Sequence, residues 1–219
     1  IHGRSLPVAM GIKTARPELN VVVVAGDGDF LSIGMEHIAP QAARNLDVTC
    51  LIMDNGVYGL TKGQSSPTTD IGVITSSTPY GKLEEPVDPL KYYLSVGVSF
   101  IAAGFSSKPR DLSKLILAGI NHPGFSIVHV QSPCTTYNDI TEVLKGSVKK
   151  GILPTVYDIP EDHDSSDYEA AQAVMSAPGV PLGIIYENTD QATFDQRIEE
   201  SHAKARPSTT QELLDSFEF

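Results

Sequence analysis

The sequence has few cysteines and no long apolar run, and each shortage excludes a class of protein. Only two cysteines, Cys50 and Cys134, occur in 219 residues, which excludes the dense disulfide framework of a small secreted protein. No apolar run approaches the roughly 18 residues that a membrane helix needs, and no charged-then-apolar leader opens the sequence. We therefore expect a cytoplasmic protein that is not bound to a membrane.

Basic residues are also scarce. The chain carries 16 lysines and arginines against 27 aspartates and glutamates, a formal net charge of -11. Because the backbone of a nucleic acid requires a basic surface, this balance argues against a nucleic-acid partner. A chain of 219 residues suits one α/β domain with an appended tail, and it is long enough to bury a core without disulfide support.

An apolar run close to the N-terminus predicts the element around which the domain is built. Residues 21–25 are apolar without alternation, which is typical of a strand buried on both faces in a parallel sheet that helices cover. Gly26, Asp27 and Gly28 follow this strand. Ligands bind outside the carboxyl ends of such strands, and glycines let the backbone approach them. A helix predicted over residues 30–44 would direct its N-terminal amides at an anion such as a diphosphate.

A second buried strand, predicted over residues 48–53, follows at the spacing of a βαβ unit and ends in Asp54, Asn55 and Gly56. Neighbouring strands lie about 4.8 Å apart, so Asp27 and Asn55 can reach one ion. Magnesium is usually held by one or two carboxylates together with carbonyl, water and phosphate oxygens. The sequence therefore predicts a magnesium site at this edge of the sheet.

The same stretch has simpler or different interpretations. Gly-Asp-Gly by itself is more often a turn than a metal site. The second strand that ends at Asn55 removes most of the preference for the turn. A dinucleotide-binding fingerprint would need glycine where Leu31 stands, and the sequence contains no GxxxxGK[ST] motif. An EF-hand starting at Asp27 would need glutamate where Ile38 stands.

The remaining pattern predicts alternating helices and strands. The predicted helices cover residues 6–16, 90–96, 112–121, 168–176 and 194–205, and the further strands cover residues 100–103 and 126–131, with an edge strand or extended arm at 182–187. Residues 65–85 predict a long loop, and a loop of that length suggests a cofactor or partner surface. His129 and Cys50 lie inside apolar strands, so we expect a satisfied core or interface histidine and a packed thiol.

Four segments together resemble a known family: HGRSLPVAMGIK, GDGDFLSIG, DNGVYGLTKGQSSPTT and QSPCTTYND. They are similar to the beta subunit of 2-oxoacid:ferredoxin oxidoreductases. GDG followed after about 25 residues by asparagine is similar to the motif with which thiamine diphosphate enzymes hold Mg²⁺ and the diphosphate. The resemblance covers residues 1–200 approximately.

The resemblance implies roles for individual residues. It makes Asp27, Asn55 and the main-chain carbonyl of Val57 the Mg²⁺ ligands. It also implies cofactor contacts at His2, Gly28, Asp29, Gly59, Leu60 and Thr61, and catalytic positions at Leu60 and Lys62. Arg4, two residues after His2, could also contact the cofactor, but a capping or surface role explains it equally well. A surface position explains Lys62 equally well.

Cys134 follows the strand predicted at 126–131, where a lone cysteine is usually a packed thiol. The resemblance instead implies the fourth ligand of a 4Fe-4S cluster, a centre that needs four thiolates. The other three would lie in an upstream segment with Cys-x-x-Cys and Gly-Cys-Gly elements. Because the sequence opens at Ile1, we expect it to be a fragment of such a subunit.

The composition changes near residue 148, which predicts a thiamine diphosphate-binding α/β domain at 1–150 and a C-terminal extension or arm at 151–219. Residues 157–167 are acidic and predict a solvated connection rather than a core element. Residues 206–219 are either flexible or docked through Leu213, Leu214 and Phe217.

The resemblance implies an enzyme that oxidatively decarboxylates a 2-oxoacid to acyl-coenzyme A and passes the electrons through the cluster to ferredoxin. An alpha subunit would supply the pyrimidine-binding domain with its glutamate. Two alternatives stay open. A decarboxylase or synthase subunit without redox chemistry would share Asp27 and Asn55 but have no need of Cys134, and a non-catalytic nucleotide-binding or scaffolding domain would use Gly-Asp-Gly only as a turn.

Overall fold

The computed structural model describes residues 1–205 and 208–217. Its strands are β1 (Val22–Gly26), β2 (Val48–Asp54), β3 (Val57–Tyr58), β4 (Gln64–Ser65), β5 (Phe100–Phe105), β6 (Phe125–Gln131), β7 (Val156–Asp158) and β8 (Val180–Glu187). Its α-helices are α1 (Ser5–Ala15), α2 (Ile38–Arg44), α3 (Pro89–Ser95), α4 (Pro109–Asn121), α5 (Thr141–Lys145), α6 (Tyr168–Ser176), α7 (Phe194–Lys204) and α8 (Thr210–Asp215). In the described part of the chain, no helix is long and apolar enough to cross a membrane.

A six-stranded sheet in the order β1-β2-β6-β5-β8-β7 forms the centre of the molecule. The pairs β1–β2, β2–β6, β5–β6 and β7–β8 are parallel, and β5–β8 is antiparallel. The prediction of an α/β fold with a parallel sheet is therefore confirmed, with one antiparallel pairing added. The prediction that residues 182–187 form an edge strand or arm is wrong, because β8 lies inside the sheet and β7 forms its edge.

Helices cover the two faces of the sheet to different extents. Apolar side chains of α1, α2, α3 and α6 pack on one face, whereas α4 packs on the other, above β2, β5 and β6. Helices on both faces were predicted correctly. The prediction that the first strand is buried on both faces is wrong, since α4 does not extend over β1: Val23 is buried, whereas Val22 and Val24 are 43% and 64% exposed.

The single helix predicted over residues 30–44 is interrupted. A π-helical turn at Asp29–Ile33 and a 3-10 turn at Met35–His37 precede α2, and Ser32 has non-helical dihedral angles. A continuous helix would place Pro40 in its interior, where proline removes a hydrogen bond and clashes with the preceding turn. In the structure α2 begins at Ile38, so Pro40 lies in its first turn.

The C-terminal part joins the same sheet through β7 and β8. The prediction that residues 157–167 form only a solvated connection is partly wrong, because β7 covers their beginning and Ile159 packs on the core. Leu213, Leu214 and Phe217 are exposed around α8 rather than docked. Positions 206, 207, 218 and 219 of the predicted tail lie outside the described residues. The division at residue 150 stays a prediction.

Candidate functional site

A cavity of about 680 Å³ opens at the carboxyl ends of β1 and β2. Its size falls in the range of small-molecule sites, about 300–1,000 Å³. It is lined by His2, Gly26, Asp27, Gly28, Asp29, Asn55, Val57, Tyr58, Gly59, Leu60 and Thr61. The fold thus brings the predicted site residues together, with Lys62 and Cys134 outside the lining.

Asp27 is the buried acid of this cavity, only 1% exposed. Its Oδ1 accepts from the Asn55 amide at 3.3 Å and its Oδ2 accepts from the Thr68 hydroxyl at 2.9 Å. Burial raises the pKa of Asp27, and the negative charge of Asp54 raises it further. A bound cation would offset both effects, so this carboxylate is suited to a metal ion.

Asp54 lies beside Asp27 and was not predicted as a site residue. Burial raises its pKa, but the hydrogen bond and the charge of His129 outweigh burial, so the pKa of Asp54 is lowered overall. His129 Nε2 lies 3.0 Å from Asp54 Oδ2, and His129 Nδ1 lies 3.2 Å from the hydroxyl oxygen of Tyr93. Both ring nitrogens of His129 therefore have partners, which confirms the predicted satisfied core histidine.

Asn55 and Val57 form a tight turn after β2. The Val57 amide donates to Asn55 Oδ1 at 3.0 Å, and an amide oxygen keeps a second lone pair for a further ligand. The Asn55 carbonyl accepts from Asn138 Nδ2 at 3.0 Å. Asn138 connects this turn to the loop that carries Cys134, because Asn138 and Cys134 pair through their backbones.

The residues present fit a magnesium ion better than a transition metal. Within residues 1–205 and 208–217, no group of three histidine, cysteine, aspartate or glutamate side chains is placed to hold a metal. Magnesium accepts one or two carboxylates completed by neutral oxygens and phosphates. Asp27 with the Asn55 amide oxygen and the Val57 carbonyl is such a donor set, and the adjoining cavity leaves room for a diphosphate.

His2 and Asp29 contact each other at the rim of the cavity. His2 Nδ1 lies 2.5 Å from Asp29 Oδ1, and the Gly3 amide donates to the same oxygen at 2.7 Å. The guanidinium of Arg4 donates instead to the carbonyls of Gly3 and Ile33. The structure therefore favours the structural role of Arg4 that the sequence left open.

Leu60, Thr61 and Lys62 lie in the hairpin between β3 and β4. Leu60 is 99% exposed at the mouth of the cavity, and the Thr61 hydroxyl donates to Gln64. Lys62 is exposed, with a φ of 76°, a left-handed conformation that is uncommon outside glycine.

The two cysteines occupy different surroundings. Cys50 is fully buried in β2, and burial raises its pKa, as expected of a packed thiol. Cys134 is half-buried in the loop that touches the Asn55 turn. The chain can supply one accessible thiolate of the four that a 4Fe-4S cluster needs.

Sequence reasoning missed Asp54, Thr68, Tyr58 and Asn138. Asp54 ends the second strand directly beside Asn55, so the strand-end argument that selected Asn55 applied to it as well. Thr68 lies in a loop without periodic pattern, and no sequence signal indicated that it reaches Asp27.

Two family models match the chain. The model described as "Thiamine pyrophosphate enzyme, C-terminal TPP binding domain" matches residues 1–130, and the model of the C-terminal part of the pyruvate ferredoxin oxidoreductase beta subunit matches residues 134–203. The chain is 37% identical over 213 residues to the 2-oxoacid:ferredoxin oxidoreductase subunit beta of Saccharolobus solfataricus, covering 91% of this chain and 68% of that protein. The chain belongs to the beta-subunit family of 2-oxoacid:ferredoxin oxidoreductases.

Other members of this oxidoreductase family are similar as well. The "2-oxoglutarate synthase subunit KorB" of Archaeoglobus fulgidus is 44% identical over 139 residues, which is 64% of this chain and 52% of that protein. The structure of the 2-oxoglutarate:ferredoxin oxidoreductase from Magnetococcus marinus, with 2-oxoglutarate, coenzyme A and succinyl-CoA bound, matches with a TM-score of 0.88 and 38% identity. That match covers 100% of this chain and 74% of the other. The beta subunit thus belongs to a multi-subunit oxidoreductase.

Proposed function

We propose that this beta subunit binds Mg²⁺ and thiamine diphosphate in an enzyme that decarboxylates 2-oxoacids to acyl-coenzyme A and passes electrons through a 4Fe-4S cluster to ferredoxin. The observation that carries the proposal is the cavity at the ends of β1 and β2. Asp27, Asn55 and Val57 line this cavity and would supply the oxygen ligands of a magnesium ion, and the Asn55 turn is in contact with the loop of Cys134. The family to which the chain belongs supports the same assignment.

The residues of this chain bind and orient the cofactor. Asp27, the Asn55 amide oxygen and the Val57 carbonyl would hold the metal, which neutralises the diphosphate charge. Gly28, Asp29, Gly59, Thr61 and His2 would border the cofactor. Thiamine diphosphate, when bound, supplies the electron sink that lets carbon dioxide leave a 2-oxoacid.

The rim residues suggest how the substrate is recognised. Leu60 is exposed at the mouth of the cavity, where its size can limit the side chain of the 2-oxoacid. The ammonium of Lys62, two residues further along the same hairpin, can attract a substrate carboxylate. Both residues remain open to an alpha subunit, which would cover the cavity and bring its pyrimidine-binding domain and glutamate.

Cys134 would supply one thiolate of the cluster, with the other three outside this chain. Its loop bonds to the Asn55 turn through Asn138, so electrons would leave next to the cofactor cavity. Coenzyme A would accept the acyl group, and ferredoxin the electrons. The alternative is a decarboxylase or synthase subunit without redox chemistry, in which Cys134 would be only a packed thiol.

The experiment that tests the metal assignment is Asp27→Ala in the full-length protein assembled with its partner subunit. We expect Mg²⁺-dependent binding of thiamine diphosphate, measured by calorimetry, to weaken by more than about 100-fold, because the carboxylate of the donor set is gone. The unfolding temperature should not fall greatly, since one of two neighbouring buried carboxylates is removed. Asp111→Ala, on the exposed surface of α4, is the matched control. Unchanged cofactor affinity in Asp27→Ala would exclude the assignment.

A further inference from the structure

Lys82 is a buried lysine in the long loop after β4, only 6% exposed. Within residues 1–205 and 208–217, it forms no ion pair with a carboxylate. Its ammonium instead donates to the Thr69 carbonyl at 2.7 Å and to the Pro67 carbonyl at 3.2 Å. Burying an ammonium is costly unless it is fully hydrogen-bonded. Both carbonyls must therefore stay within hydrogen-bond distance of the Lys82 ammonium. They lie on either side of Thr68.

The side chain of Thr68 reaches the acids at the carboxyl ends of β1 and β2. Its Oγ1 lies 2.9 Å from Asp27 Oδ2, 2.8 Å from Asp54 Oδ1 and 3.2 Å from Ser66 Oγ. The other oxygen of Asp27 accepts from the Asn55 amide. The single hydroxyl proton of Thr68 can be donated to Asp27 or to Asp54, so Thr68 lies between the two acids. Asp27 is thus contacted at both oxygens, and each oxygen keeps a lone pair for a cation.

Further hydrogen bonds attach this loop to the site and to itself. The Thr69 hydroxyl donates to the Gly56 carbonyl at 2.5 Å, directly after the Asn55 position. The Lys82 amide donates to the Val73 carbonyl at 3.0 Å, and the Lys82 carbonyl accepts from the Gly72 amide at 2.7 Å. Lys82 is thus fixed at both its backbone and its ammonium, although the loop contains no regular element after β4.

We infer that Thr68 and Lys82 are positioning residues for the metal site: Lys82 fixes the main chain on both sides of Thr68, and the Thr68 hydroxyl orients the Asp27 carboxylate toward its cation. The inference rests on the proposed role of Asp27 in metal binding. Groups that orient a metal ligand commonly change metal affinity by about 10–100-fold when they are removed. Neither residue is among the proposed metal ligands Asp27, Asn55 and Val57.

The test uses the full-length protein assembled with its partner subunit, with Mg²⁺ titrated calorimetrically in the presence of thiamine diphosphate. Thr68→Val keeps the shape of the side chain and removes the hydroxyl, and we expect a loss of Mg²⁺ affinity of about 10–100-fold. Thr68→Ser keeps the hydroxyl and should recover affinity to within about threefold of the wild type. Thr75→Val is the matched control, because the Thr75 hydroxyl bonds to Ser77 and Thr78 inside the same loop.

Lys82→Met tests whether Lys82 fixes the main chain on both sides of Thr68. It leaves the Thr68 side chain unchanged, so it still tests the inference if Thr68→Val fails to assemble. Lys82→Met should weaken Mg²⁺ binding. The double variant Thr68→Val/Lys82→Met should bind Mg²⁺ no more weakly than Thr68→Val alone, because the two residues act on one carboxylate. Additive losses, or wild-type affinity in either single variant, would overturn the inference. If Asp27→Ala abolishes binding while Thr68→Val does not, only the positioning role fails. If the wild-type complex shows no Mg²⁺-dependent binding, the proposed function fails with it.

Discussion

At Gly28 the missing side chain makes room for an aromatic ring. A Cβ at this position would lie 2.5 Å from a ring carbon of Tyr58, whose hydroxyl donates to the Gly28 carbonyl at 2.8 Å. The backbone of Gly28 is ordinary right-handed helical, so space and not conformation requires glycine here. The neighbouring Gly26 has its nearest atom 3.9 Å away from the position of a Cβ.

Gly28→Ala should therefore destabilise the fold by about 1–3 kcal/mol, because the Tyr58 ring must move and lose its hydrogen bond. Gly26→Ala is the control and should be close to neutral. Denaturant unfolding measures both, and in a Tyr58→Ala background the effect of Gly28→Ala should largely disappear. Equal stability of Gly28→Ala and the wild type would show that the Tyr58 ring moves aside without a loss of unfolding free energy.

At the scale of elements, the hairpin between β3 and β4 carries the residues that would meet the substrate. Leu60 projects into solvent at the mouth of the cavity. Replacing Leu60 with alanine or serine should change the ratio of the kcat/KM values for pyruvate and 2-oxoglutarate by about tenfold, the usual effect of altering one apolar contact. Leu83→Ala, at an exposed leucine outside the cavity lining, is the control. A ratio that stays within twofold for several Leu60 substitutions would rule out a role in specificity.

A buried polar cluster lies at the end of the sheet opposite the cavity, where β5 and β6 begin, and it connects several elements. Asn45 follows α2, and its Oδ1 accepts from the Ser99 hydroxyl at 2.7 Å and from the Phe125 amide at 2.9 Å. Ser99 Oγ lies 3.0 Å from His122 Nε2, and His122 Nδ1 lies 3.4 Å from Glu187. The order resembles a hydrolase triad, but Ser99 and His122 are buried at the end of the sheet away from the cavity, so the cluster is structural.

We expect this cluster to make the free energy of unfolding depend on pH. Burial lowers the pKa of His122 in the folded protein, against the opposing effect of Glu187. Below the unfolded value of about 6.5, the unfolded chain binds a proton that the folded protein does not, so the free energy of unfolding decreases as the pH falls. His122→Gln should make this decrease shallower between about pH 7.5 and 5.5. Denaturant unfolding across this range measures it, with His202→Gln, on the exposed side of α7, as control. If the slope of unfolding free energy against pH is the same in His122→Gln and the wild type, His122 does not contribute to the pH dependence.

For the whole molecule, the thiol content limits what the chain can do by itself. A four-iron cluster needs four thiolates, and the 219 residues contain two cysteines, of which Cys50 is fully buried. The chain expressed alone should therefore be colourless and inactive, and should bind thiamine diphosphate only weakly, because the pyrimidine end of the cofactor lacks its partner domain.

In the complete complex, Cys134→Ser should lower the iron and sulfide content or the stability of the cluster. Cys50→Ala is the matched control and should retain iron. Chemical iron analysis and electron transfer to ferredoxin provide the readouts. Full iron content with unchanged electron transfer in Cys134→Ser would show that Cys134 is a packed thiol and not a ligand of the cluster.

The sequence by itself determined the first two strands of the sheet and the position of the cavity. Apolar runs predicted β1 and β2, and because the carboxyl ends of parallel strands meet at one edge, Asp27 and Asn55 had to lie close together. The packed state of Cys50 and the satisfied state of His129 followed equally from their apolar neighbours. Each of these inferences depends on local pattern. Pro40 was also a local signal, for the break before α2, but the helical periodicity of residues 30–44 concealed it.

Only the tertiary structure decided the features that depend on distant contacts. The exposed face of β1 results from the limited reach of α4. β8 enters the sheet beside β5 although Val180 comes 75 positions after Phe105. Thr68 meets Asp27 across 41 residues through a loop that has no periodic pattern. The path of such a loop is set by hydrogen bonds from Lys82 and Thr69 to backbone carbonyls, which every residue possesses, so the sequence does not reveal which carbonyls will be chosen.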